Sequence, residues 1–123
     1  MQALAVKAYG EVRNRTADNK SLEAALFQQI TDGLKQAIDL EKSDPATWAD
    51  AINRNLELWT LLTTDLLNPD NQLQDALRKS LLEISVFVRR TSMQVLSGDA
   101  TLDDLIEVNE SIMSGLKGNQ PTL

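Results

Sequence analysis

Apolar residues recur along this chain at steps of three and four, and the alternating β-branched runs expected of strands are missing. The pattern predicts an all-α, single-domain bundle of about five helices, over residues 3–14, 21–42, 45–67, 71–97 and 102–116, with a long fourth helix. The bundle is expected to take up residues 1–116. The closing KGNQPTL, residues 117–123, reads as a flexible tail.

The predicted boundaries have local causes. Ser21 is placed to cap the second helix. Asp44-Pro45 opens the third, because proline at the first helical position gives up a hydrogen bond it would not have made. Asn68-Pro69 closes that helix, since the residue before proline is pushed out of the helical region. Gly98 stands where a left-handed residue would end the fourth helix, and Thr101 with Asp104 resembles a capping box.

Counting about 100° per residue separates buried from exposed faces. On the third helix Trp48, Ile52, Trp59, Leu62 and Leu66 share one side, and Asn55 lies among them. On the fifth, Leu102, Leu105, Ile106, Met113 and Leu116 form the stripe around Asn109. A buried amide without partners costs a few kcal/mol, so Asn55 and Asn109 are expected to satisfy backbone groups at helix crossings and set register. Asn55, Trp59 and Asn109 are therefore structural candidates.

The fourth helix carries two stripes. Leu73, Leu77, Leu81, Ile84, Val88 and Val95 form the first; Leu82, Val86 and Met93 form the second, nearly opposite, with Arg89 and Leu96 beside it. A helix apolar on two sides is central in its bundle or keeps one side for a partner. The pattern favours the central position. The alternative is a docking face for an amphipathic helix, with Met93 suited to an adaptable surface.

Composition narrows the function. The 123 residues contain no cysteine and no histidine, which excludes disulfides and thiolate metal sites and removes the side chain that most often titrates near neutrality. Eighteen acidic against twelve basic residues give a net charge of −6, and Arg78-Lys79 and Arg89-Arg90 are isolated pairs with no basic stripe for phosphates. Direct nucleic-acid binding is not expected. The opening MQALAVKAYGEV lacks the basic start and apolar run of a signal peptide, and no apolar run approaches the ~20 residues of a membrane span. A cytoplasmic protein without membrane insertion is expected.

No constellation for catalysis stands out. Asp103, Asp104, Glu107 and Glu110 suit the positive end of a helix dipole, and their spacing is not that of a calcium loop. Thr60, Thr63 and Thr64 have no neighbouring base, no glycine loop cradles a phosphate, and Tyr9 before Gly10 reads as an anchor on the first helix. The expectation is a non-enzyme without cofactor or metal.

The order of these pieces resembles the bacterial flagellar biosynthesis regulator FlaF family of alphaproteobacteria. The resemblance rests on Ala8-Tyr9-Gly10, Leu22-Glu23, Asn55 with Leu58-Trp59 and Asp65, and Pro69 with Asn71 and Leu73. It continues through Leu77-Arg78, Phe87-Val88, Thr91 and Val95-Leu96, and closes on Leu105-Ile106, Val108-Asn109, Ile112-Met113 and Gly115-Leu116. One departure is Asp32, where the family pattern carries a basic residue after Thr31.

The resemblance implies a small cytoplasmic protein that promotes flagellin synthesis and secretion, with flagellin as partner and FlbT as a second one. Leu82, Val86, Met93 and Leu96, rimmed by Arg89 and Arg90, would then hold a flagellin helix in the manner of an export chaperone. The competing expectation is an all-α adaptor or dimerisation module acting through FlbT or messenger RNA regulation. Oligomeric state is open.

Overall fold

A computed structural model describes residues 19–116, with side chains over 24–115. Within that span the chain forms four helices and no strand: α1 (Asn19–Ala37), α2 (Pro45–Leu67), α3 (Asp75–Leu96) and α4 (Asp103–Leu116). These match the second to fifth helices expected from the sequence. The expected first helix, over 3–14, and the tail lie outside the described residues.

Short connections turn each helix back on the one before, as in up-and-down bundles. α1 packs on α2, α2 on α3, and α4 closes the ring onto α1, with α3 and α4 forming the lightest edge. Among the described helices none is central. The preference for a central fourth helix is thus corrected: that helix, here α3, has one side inward and one side outward. Nor is it the longest, having 22 residues against 23 in α2.

The α2 boundaries fall where proline chemistry puts them. The Asp44 carboxylate accepts from the Thr47 amide at 3.3 Å, Pro45 opens the first turn, and Asn68 leaves the helix at φ −68°, ψ 131°. α3 ends in a Schellman motif. Gly98 adopts φ +85°, its amide donates to the Val95 carbonyl at 3.0 Å, and the Asp99 amide reaches the Gln94 carbonyl at 2.7 Å. Only a residue tolerating left-handed backbone closes a helix this way without strain.

Other boundaries differ from expectation. α1 begins at Asn19, so Ser21, expected at the boundary, lies inside the helix. It ends at Ala37, not Lys42, because the chain tightens there into three-residue turns, the Leu40 amide donating to the Ala37 carbonyl at 3.0 Å. α3 begins at Asp75, not Asn71. Asn71 is occupied by the link: its Nδ2 donates to the Asp65 carbonyl at 3.0 Å and its Oδ1 accepts from the Leu73 amide at 3.0 Å. That keeps the residues between Pro69 and Asp75 out of helical geometry. The Thr101 hydroxyl donates to the Asp103 carboxylate at 3.4 Å in place of the expected capping box.

The core lies where the inward stripes meet. Leu34, Ile52, Trp59, Leu66, Val88, Val95 and Leu105 are fully or almost fully enclosed. The Phe27 ring meets Trp59 edge-on, centroids 5.8 Å apart and planes at 86°, a favoured arrangement for aromatic pairs. The inward side of α3 is smaller and more polar than its leucines suggested. Ser85, Thr91 and Ser92 are buried there with Val88 and Val95, whereas Leu73 and Leu77 are exposed. Two of the buried hydroxyls are hydrogen-bonded: Ser92 donates to the Val88 carbonyl at 2.7 Å, and Ser85 is bonded to Thr63 of α2.

Candidate functional site

Three helices bring polar side chains into the middle of the bundle. Asn109 of α4 and Asn55 of α2 are both fully buried, as is Thr31 of α1. Asn109 Nδ2 donates to Asn55 Oδ1 at 2.8 Å and to Thr31 Oγ1 at 3.1 Å. Its Oδ1 accepts from the Trp59 indole Nε1–H at 2.9 Å. The two amides therefore satisfy one another and the indole, and not backbone groups as expected. One atom stands apart: Asn55 Nδ2 is buried with no hydrogen-bond partner.

The geometry makes Asn109 the hub and Asn55 a branch. Bonds reaching from α4 to both α1 and α2 fix how far the helices can slide, because a one-turn shift would strand several buried polar groups at once. In the family resemblance Thr31 stands only as the neighbour of Asp32. Its part in the cluster was missed, and a threonine on the apolar face of α1, level with Phe27 and Leu34, was the signal that could have found it. Asp32 faces outward and accepts from Gln28 Nε2 at 2.9 Å.

The second stripe of α3 lies on the outside. Val86 is 55% exposed, Met93 53% and Leu96 36%, while Leu82 is half-buried. Arg89 and Arg90 are exposed on the same helix. Phe87, at 42%, lies off to one side of this strip. Val86 and Met93 point about 140–160° away from Val88, counting about 100° per residue, so the strip and the core face are on opposite sides of one helix. Met113, by contrast, is buried.

The residues considered for chemistry do structural work. Thr60, Thr63 and Thr64 each donate a hydroxyl to a carbonyl one turn back, at 2.8, 2.8 and 2.9 Å. Asp103 and Asp104 occupy the first turn of α4. Glu110 pairs with Lys35 of α1 at 2.7 Å, and this hydrogen bond and its charge hold the Lys35 ammonium above its ordinary pKa. Among the described residues no three metal-ligating side chains cluster, and no helix is long and apolar enough to cross a membrane.

Compared with known families, the chain matches flagellar protein FlaF over residues 5–116. It belongs to the FlaF family. The match runs through all four described helices and includes both asparagines, Trp59 and the outer strip of α3. No curated protein and no solved structure matches. Membership makes this a flagellar protein.

Proposed function

We propose that this FlaF-family chain promotes flagellin synthesis and secretion by binding flagellin in the cytoplasm before export, as a non-catalytic, chaperone-like partner. One observation carries the reading: α3 satisfies the core with one side and leaves Val86, Met93 and Leu96 exposed on the other. An amphipathic helix can lay its apolar face on such a strip, with anchors spaced by helical turns. Flexible Met93 can adapt to it, and Arg89 and Arg90 stand where an acidic rim would meet them. The net charge of −6 favours a protein partner over RNA phosphates, whose capture needs clustered cations.

The test is co-purification of flagellin with Val86→Asp/Met93→Asp. Both side chains are exposed, so helical content and cooperative melting should be kept while flagellin is lost. Retention of flagellin by that well-folded variant would exclude this strip. Solution mass with and without flagellin separates capture from self-association through the strip. Addition of FlbT shows whether it joins the same complex.

A further inference from the structure

α3 is the cationic helix of an acidic chain. It has four basic and two acidic residues, whereas the rest of the chain has eight basic and sixteen acidic. Its neighbour α4 has four acidic residues and no basic one. The four cations of α3 come as two adjacent pairs, Arg78-Lys79 and Arg89-Arg90, eleven residues apart. That spacing is close to three full turns, ~16 Å along the helix axis, so the second pair falls almost directly above the first.

Counting about 100° per residue, Lys79 and Arg90 lie along one edge of the outer strip and Arg78 and Arg89 along the other, with Val86 and Met93 between them. Cations thus frame the exposed apolar strip at its four corners. Two acids share the outward half of the helix. Asp75 is ion-paired with Arg78, which neutralises that corner, and Glu83 lies just outside the edge that carries Lys79 and Arg90. Lys79, Arg89 and Arg90 are exposed, and none has an ion-pair partner among the described residues. The bundle itself makes no use of these three charges.

We infer that the helix held on this strip carries carboxylates along both edges of its own apolar stripe, two of them about three turns apart to meet Lys79 and Arg90, and a third to meet Arg89. The inference rests on flagellin capture by the outer strip and specifies the chemistry of the captured segment. A helix laid on α3 at the shallow crossing of about 20° common in bundles stays within reach of all three charges over that length. Rim charges of this kind steer encounter and fix register more than they add affinity. An extended anionic surface, a bilayer or a nucleic acid, fits less well, because it would bring phosphates against the sixteen acids outside α3.

Flagellin binding to the full-length protein tests this, with Lys79→Glu/Arg90→Glu set against Lys42→Glu/Arg54→Glu, which makes the same charge change away from α3. All four side chains are exposed, so both variants should keep cooperative melting. The Lys79→Glu/Arg90→Glu variant should bind about tenfold more weakly, mainly through slower association, and the control should change little. Raising the ionic strength from about 0.05 to about 0.5 M should weaken binding by the natural protein more than by that variant. Lys79 is the one amine of the frame, so carbodiimide coupling should join its Nζ to an aspartate or glutamate beside an apolar stripe of flagellin. Flagellin held equally by both variants, or coupled through Lys35 or Lys42 and not Lys79, would overturn the acidic edges and leave flagellin capture standing. No flagellin binding by the natural protein would remove both. Attachment to phosphatidylglycerol vesicles in place of flagellin, lost in Lys79→Glu/Arg90→Glu, would overturn the inference in favour of a membrane surface.

Discussion

Replacing Asn109 with leucine tests the buried cluster most sharply, because both side chains fork at Cγ with the same number of heavy atoms, and leucine, although bulkier, removes every polar contact. The substitution removes the acceptor of the Trp59 indole N–H, at 2.9 Å, and the donor to Asn55 Oδ1, at 2.8 Å. Both groups stay buried. Each costs about 1–3 kcal/mol when orphaned. Thr31 loses one donor as well, but its hydroxyl can turn to a carbonyl of its own helix. The expected destabilisation is ~3 kcal/mol. Asn55→Leu behaves differently. It removes an amide whose Nδ2 already has no partner, and Asn109 keeps Thr31 at 3.1 Å, so the cost should stay within about 1 kcal/mol.

The sign of the combination decides. Adding Asn55→Leu to Asn109→Leu removes an orphaned carbonyl, so the two costs should fall short of additivity by about 1–2 kcal/mol of coupling, leaving the double variant at least as stable as Asn109→Leu alone. Urea unfolding followed by tryptophan fluorescence measures all four proteins, and the Trp59 indole proton reports its lost acceptor by NMR. Equal costs for the two single substitutions, adding without coupling, would refute the hub-and-branch geometry.

The other predictions concern helix ends, glycines and pH. Gly33 lies within α1, and a Cβ there would meet nothing within 4 Å, so Gly33→Ala should raise stability by about 0.5–1 kcal/mol. Gly98 is equally uncrowded but sits at φ +85°, so Gly98→Ala should lower stability by about 1 kcal/mol through the backbone alone; thermal melts of the pair give opposite signs. The Lys35–Glu110 pair raises the lysine pKa above its ordinary 10.5. Its contribution is complete below that value in the unfolded chain and fades as pH rises through the folded value. Melting temperature above about pH 10.5 should therefore fall more steeply in the natural protein than in Glu110→Gln.

Much of the fold is written in local chemistry. Asp44-Pro45, Asn68-Pro69 and Gly98 each act through their own backbone, so the ends they set in α2 and α3 could be read directly from the sequence. The inward faces of α2 and α4 were equally plain, because Trp48, Ile52, Trp59, Leu102 and Leu105 repeat at helical steps. What periodicity could not weigh was competition for side chains. Asn71 looked like part of a helix, yet it is occupied by the Asp65 carbonyl and the Leu73 amide. Ser85, Thr91 and Ser92 are polar residues that periodicity would set outside the core, yet all three are buried on the inward side of α3, where Ser85 meets Thr63.

The candidate sites divide the same way. Asn55 and Asn109 were visible as polar breaks in apolar stripes, but their meeting depends on α2 and α4 facing each other across the ring. Thr31 completes the cluster only through α1. The outer strip of α3 was legible as a second periodicity. Its exposure depends on the ring arrangement, which no single helix encodes.

Titration of flagellin into isotope-labelled protein, read through methyl signals, addresses flagellin capture by α3 most directly. Capture on the outer strip should shift or broaden Leu82, Val86, Met93 and Leu96 together and leave the Trp59 indole signal in place. Saturable binding that leaves those four side chains untouched, or no binding at all, would contradict it.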